Sequence, residues 1–221
     1  MCSVSAVIAA DVKKAAVKDA LEALNNGTVT KAHDAILSEW DYNPVFDNFG
    51  GPDAAGYIWR DRYDVGGPDY DWISITETGT SVIADMGDDV VGGPYPIGFE
   101  FTFYDVTYTN FYVCSNGAVT FSGGNVSYYN QELPDATHGE MIAWFWDDLD
   151  PDDDEYADLL YETMVVNNQN ACVISFIDWN EYPGGPVQDC ITAQVILFED
   201  NTVLCQYLYM ENGLDISGCT I

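Results

Sequence analysis

A chain of 221 residues with 37 acidic and 6 basic side chains carries a formal charge of −31. Such a surface repels phosphate backbones and anionic lipid, which excludes nucleic acid and membrane insertion from its expected partners. Hydrophobic residues at 48% and aromatics at 14% supply a packed core and argue against a disordered polyanion, and no run is long enough to cross a bilayer as a helix.

The first ten residues are apolar from Ser3 to Ala10, uncharged and rich in β-branched side chains, with Val4, Ala6, Val7 and Ile8 as the hydrophobic positions. Two readings stand for them: a signal-like leader that lacks a basic start, or a strand with no local partner that pairs elsewhere. Residues 11–42 read as a helical leader. Asp11 caps a first helix on which Val17, Leu21 and Leu24 recur at helical spacing, Asn26-Gly27 ends it, and a second runs from Thr30 to Trp40 with Ala32, Ile36 and Leu37 on one side. Lys13, Lys14, Lys18 and Lys31 all fall here, leaving Arg60 and Arg62 as the basic residues of everything that follows.

From residue 43 to 221 the texture changes to Gly-, Pro- and Asp-rich turns between short aromatic and β-branched runs. This predicts a mainly β domain, an antiparallel β-sandwich or jelly roll. Strands are predicted near Tyr57–Arg60, Tyr70–Ser74, Ile97–Phe103, Thr107–Val113, Ala118–Phe121, Met141–Trp146, Leu159–Val166, Ala171–Trp179, Cys190–Phe198 and Thr202–Tyr209. The last three form a meander turned by Pro183-Gly184-Gly185-Pro186 and by Glu199-Asp200-Asn201. In the Cys190 strand, Ile191, Ala193, Val195 and Leu197 mark a buried face, and Thr192, Gln194 and Ile196 a mainly polar outer one.

Several stretches recur in a recognisable order: Phe49-Gly-Gly-Pro52 with Gly66-Gly-Pro68 and Tyr70-Asp-Trp72, then Ile97–Tyr104, Val113-Cys-Ser-Asn-Gly117 with Val119-Thr-Phe121, and Ile142-Ala-Trp-Phe-Trp-Asp-Asp-Leu-Asp150. From Phe46 to Tyr209 the chain resembles nidogen-type extracellular β modules of secreted bacterial surface proteins. The resemblance implies an extracellular or cell-surface sandwich used in adhesion or matrix structure, with no characteristic catalytic set. The motifs themselves read as scaffold, Asn116-Gly117 supplying the positive φ of a tight turn and the aromatics filling the space between sheets. Such modules usually sit in longer proteins. A single module behind a leader, stopping at Ile221, is expected to be a building block in its own right.

The densest cluster of candidate ligands runs from Asp147 to Glu155. Asp147, Asp148, Asp150, Asp152 and Asp154 offer the hard oxygens that calcium takes, although the spacing is not that of an EF-hand; the alternative is a solvated acidic loop. For a second group, Asp61, Asp64, Asp69 and Asp71 with Asp85, Asp88 and Asp89 further on, the solvated-loop reading leads. Catalysis is not expected. His33 and His138 are the sole imidazoles, no G-x-S-x-G elbow presents a serine, and the Gly-rich segments lack a phosphate-loop lysine. Trp59, Trp72, Trp144, Trp146 and Trp179 are candidates for stacking on sugars. Cys2, Cys114, Cys172, Cys190, Cys205 and Cys219 show no zinc spacing and read either as disulfides or as buried thiols. Asn26 and Asn125 head glycosylation triplets.

The function expected from these features is that of a self-assembling filament subunit. Residues 1–10 would donate a strand to a sheet left incomplete at the other end, where Ile216, Cys219 and Ile221 lie, so that copies of the chain join head to tail. Cys2 and Cys219 would then lie close enough for an intermolecular disulfide. The alternative is a secreted module that binds glycans.

Overall fold

The computed structural model describes residues 49–64, 66–124, 127–131, 133, 137–153, 156–183 and 190–210. The predicted helical leader at 11–42 and the strand-like segment at 1–10 lie outside them, as do Asn26, Asn125, Asp154, Ile216, Cys219 and Ile221. The chain divides between Ser74 and Ile75 into two compact units.

In the smaller unit, β1 (Phe49–Gly50) and β2 (Trp59–Arg60) pair antiparallel, with Phe49 opposite Arg60 and Gly50 opposite Trp59. The intervening turn is closed by Asp53, whose Oδ1 accepts the amides of Ala55 and Tyr57, each at 2.9 Å. Asp61 closes the next turn by accepting the amides of Tyr63 at 2.8 Å and Asp64 at 3.1 Å, while Arg60 pairs with Asp64 at 2.7 Å. These are the side-chain-to-backbone bonds by which aspartate favours turns. Tyr70–Ser74 forms no strand.

The larger unit holds two antiparallel sheets. One has four strands, β4 (Val91–Phe103), β5 (Val106–Cys114), β6 (Ala118–Thr120) and β7 (Met141–Ala143), in chain order. The other runs β11-β10-β9-β8-β3, where β3 is Thr80–Ser81, β8 Asp158–Val166, β9 Gln169–Asn180, β10 Cys190–Phe198 and β11 Val203–Met210. Strands β4–β7 and β8–β11 therefore form two meanders, β3 joins the second beside β8 out of chain order, and no α-helix occurs among the described residues. Two-residue turns with positive φ at both positions, Tyr104-Asp105 and Asn167-Asn168, make the β4–β5 and β8–β9 hairpins, the geometry whose twist matches that of paired strands. Asn201 has positive φ in the β10–β11 turn, and Asp200 Oδ1 accepts the Thr202 amide there at 3.0 Å.

Side chains of the two sheets meet directly. Tyr161 of β8 stacks on Tyr95 of β4 with centroids 5.6 Å apart and meets Phe111 of β5 edge-on. Thr163 donates to the Ile97 carbonyl at 2.7 Å, and Asn201 Oδ1 accepts the Thr102 amide at 2.7 Å. Trp144, just past β7, lies on Phe176 of β9 with centroids 4.1 Å apart and makes edge contact with Trp179.

β10 occupies the residues expected of it, but the half-buried character does not hold. Thr192, Gln194 and Ile196 are as buried as Ala193 and Val195. The polar side chains on that face find protein partners instead of water: Gln194 donates to Ser175 Oγ at 2.8 Å, and Thr192 to Asp178 Oδ1 at 3.3 Å, as buried polar groups require. The strand expected over Met141–Trp146 stops at Ala143. There the Gly117 carbonyl takes the amides of both Trp144 and Phe145 at 3.1 Å, which bends the chain out of the ladder.

Candidate functional site

Between β5 and β6 the chain turns through Ser115-Asn116-Gly117, and three separate segments are fastened to that turn. Ser115 and Val90 exchange bonds, amide to carbonyl at 2.9 Å and amide to hydroxyl at 3.0 Å. Asn116, with 0% of its surface exposed, donates to Asp89 Oδ1 at 2.8 Å and accepts the Leu149 amide at 3.4 Å. Gly117 holds Trp144 and Phe145 as described. The loop before β4 and the loop after β7, some sixty residues apart in sequence, are thereby drawn to one place.

What converges there is acid. Asp148 stands beside Asp88, Asp89, Asp147 and Asp150, and its carboxyl is raised from 3.8 to about 6, first by burial and then by the repulsion of those four neighbours. Asp88 and Asp89 are exposed, Asp148 is half-buried and Asp150 is buried. The cluster thus passes from solvent into the protein. Asp150 Oδ1 accepts the Asp152 amide at 3.0 Å, but Asp152 itself is exposed and is not among the residues acting on Asp148. Tyr128 and Tyr129 complete the surroundings, with rings 4.1 Å apart. The Tyr128 phenol is raised, first by its bond to Tyr129 and more weakly by Asp148 and Asp89. Their segment is tied down by Trp146, whose indole donates to the Ser127 carbonyl at 2.6 Å and whose own carbonyl accepts from Asn130 at 3.1 Å.

Of the ligands expected from sequence, Asp147, Asp148 and Asp150 share this place, Asp152 does not, and Asp154 lies outside the described residues. Asp88 and Asp89 belong to the cluster and had been grouped with a different loop. The signal for them was the Ser-Asn-Gly turn, whose buried asparagine needs partners on both sides. Asp61 caps a turn and Asp64 pairs with Arg60, as solvated-loop residues do.

The tryptophans separate sharply. Trp144, Trp146 and Trp179 are fully buried and Trp72 nearly so, which removes them as sugar platforms, whereas Trp59 is 53% exposed. With Phe49, Ile58 and Tyr63 it makes the β1–β2 hairpin and the turn after it conspicuously apolar at the surface. His138 packs edge-on against Trp146 with centroids 5.3 Å apart. Cys114, Cys172, Cys190 and Cys205 form no disulfide among the described residues, and burial pushes the thiols of Cys172 and Cys205 up to about 12, so these two are poor nucleophiles. Cys2 and Cys219 lie outside the described residues.

The raised pKa of Asp148 has a testable sign. The folded state holds the Asp148 proton more tightly than the unfolded chain, so this contribution to stability is complete below about pH 4 and is lost as pH rises through about 6. Asp148→Asn, neutral throughout, is expected to melt above the parent at pH 7–8 in EDTA buffer, the gain shrinking towards zero by pH 4. Melting temperatures of the two proteins across that range decide it; a gain independent of pH would show that repulsion at Asp148 is not its source.

An all-antiparallel β module, with two sheets in contact and an acid-lined turn at the junction of its loops, is the class that fold and site define. The NIDO-related family model matches residues 62–220, and the chain belongs to that nidogen-related family. Searches among curated proteins and among solved structures return no match.

Proposed function

We propose that the chain is a non-catalytic, extracellular β-sandwich module of the cell surface that assembles with copies of itself, head to tail, by donation of residues 1–10 as a strand. The supporting observation is the edge of the five-stranded sheet. β11 pairs with β10 on one side and has no described strand on the other, and its residues are mainly half-buried. A sheet edge is where an incoming strand can add. Ser3–Ala10 is uncharged, β-prone and as long as the eight residues of β11.

The second reading, adhesion to glycans, is favoured by the exposed Trp59 with Phe49, Ile58 and Tyr63, since flat aromatic faces stack on sugar rings. Deleting residues 1–10 separates the two. The full chain is expected to form fibres visible by negative-stain microscopy, and the truncated one to elute as a monomer. Fibres of unchanged length from the truncated protein would end the donor-strand proposal. Glycan-array binding by a fibreless protein, abolished by Trp59→Ala, would favour adhesion.

A further inference from the structure

We infer that Asp88, Asp89, Asp148 and Asp150, together with the side-chain oxygen of Asn180, form a binding site for a calcium ion. Acid alone would not carry this, because an acidic cluster on so acidic a protein is ordinarily a solvated surface. Two further observations do.

The first is an orphaned oxygen. Asn180, at the end of β9, is 3% exposed, and its Oδ1 is buried with no hydrogen-bond partner. Leaving a buried carbonyl oxygen unsatisfied is costly, and few native groups are left so. Its direction follows from the backbone. Leu149 and Glu181 form an antiparallel bridge, flanked by Asp150 N to Asn180 O at 2.9 Å and Tyr182 N to Asp148 O at 2.7 Å. That pattern makes Leu149–Glu181 a non-hydrogen-bonded pair. Side chains alternate along each strand, so Leu149 and Glu181 share one side, and Asp148, Asp150 and Asn180 share the other. Asn180 stands directly across from Asp150, where cross-strand Cβ atoms lie about 5 Å apart. The orphan oxygen thus faces the same side as the two innermost carboxylates of the cluster.

The second is the composition of the stretch around it. Residues 75–221 contain no lysine and no arginine, so no lysine or arginine of that stretch offsets the cluster's charge.

Oxygen donors of mixed type, carboxylate and amide, held on separate loops suit calcium, which takes six to eight oxygens in adaptable geometry. Magnesium demands a near-ideal octahedron. Among the described residues no three acidic, imidazole or thiol groups are already arranged to hold a metal, so an ion would have to draw the carboxylates together. The exposed position of Asp88 and Asp89 gives an ion a way in from solvent, and Asn116 holds the two loops within reach of each other. Because Asn116 joins the loop before β4 to the loop after β7, an ion shared between them would lock the same junction from the outside.

The test is calorimetric titration of the EDTA-stripped full chain with calcium chloride, with magnesium chloride as comparison, and thermal melting in each. Calcium is expected to bind with a dissociation constant of about 0.1–1 mM, the range of extracellular modules, and at hundredfold excess to raise the melting temperature by roughly 5–10 °C. Magnesium should do less. Asp148→Asn and Asn180→Ala should each weaken calcium binding at least tenfold. Asp148→Asn should also melt no lower than the parent in EDTA, so its loss of calcium response would not be a failure to fold. The absence of heat and of any melting shift at about 10 mM calcium would overturn the site, as would a calcium response that survives Asp88→Asn combined with Asp148→Asn.

Discussion

Gly117→Ala is expected to destabilise the larger unit by more than about 4 kcal/mol, an exceptional loss for removing nothing and adding one methyl group. Two costs combine. Gly117 has φ +78°, where an L-residue pays about 1–2 kcal/mol. A Cβ there would also lie 1.7 Å from the Phe145 carbonyl oxygen and 2.5 Å from its carbon, and backbone atoms cannot swing aside as a side chain does. Relief would require moving the Trp144–Phe145 segment, whose two amides donate hydrogen bonds to the carbonyl of Gly117 itself and which packs into the aromatic core. Gly139→Ala is the matched control in the same unit: φ is +72°, but the nearest atom to a new Cβ is the end of the Ser122 side chain at 3.4 Å. It should cost only the conformational part, about 1–2 kcal/mol. Urea unfolding of both variants tests the difference, and equal losses would show that close approach at Gly117 is not the cause.

The same turn shows where sequence reasoning succeeds and where it stops. Val113-Cys-Ser-Asn-Gly117 carries much of the family resemblance, and its reading as scaffold agrees with the structure. The local reading assigned positive φ to an Asn-Gly pair, however, and only Gly117 has it; Asn116 is instead a buried fastener for two distant loops. Turn propensity is local and legible in two letters, whereas a hydrogen bond from residue 116 to residues 89 and 149 depends on tertiary approach. The acidic cluster divides in the same way. Asp147, Asp148 and Asp150 stand out as a run, but Asp88 and Asp89 join them only because the start of β4 lies beside the end of β5.

Strands fared according to how far their pattern is intrinsic. Cys190–Phe198 and Leu159–Val166 are long β-branched runs and lie where expected. Thr80–Ser81, two residues long, owes its strand state to pairing with Leu160 and Tyr161 and has no signal of its own. Alternation along β10 described the composition of its two faces correctly, yet composition does not say what packs on a face. Gln194 and Thr192 are buried because Ser175 and Asp178 across the ladder satisfy them. Tryptophan is ambiguous for a related reason: a large amphipathic ring serves a core or a binding surface equally well, and burial alone separates Trp144 from Trp59.

Trp144 offers the second large effect, and a way to distinguish packing from hydrogen bonding. Trp144→Ala should cost about 3–5 kcal/mol, because it removes a fully buried indole from between the sheets and leaves a cavity lined by Phe145, Phe176 and Trp179. Trp144→Phe should cost far less. The indole N–H of Trp144 is buried without a partner, so replacing it with a ring that has no donor removes an unsatisfied group and offsets part of the lost area, leaving a net loss of about 1–2 kcal/mol. Trp146 and Trp179 are different. Their indoles donate to the Ser127 carbonyl at 2.6 Å and the Asp158 carbonyl at 3.3 Å, so phenylalanine there loses a bond as well as area and strands an acceptor. The expected order of destabilisation is Trp144→Phe below Trp179→Phe and Trp146→Phe, with Trp144→Ala above all three, read from urea midpoints at constant m-value. If Trp144→Phe proved as costly as Trp146→Phe, the unpaired indole would not be the distinction between them, and the stack on Phe176 would require the larger ring itself.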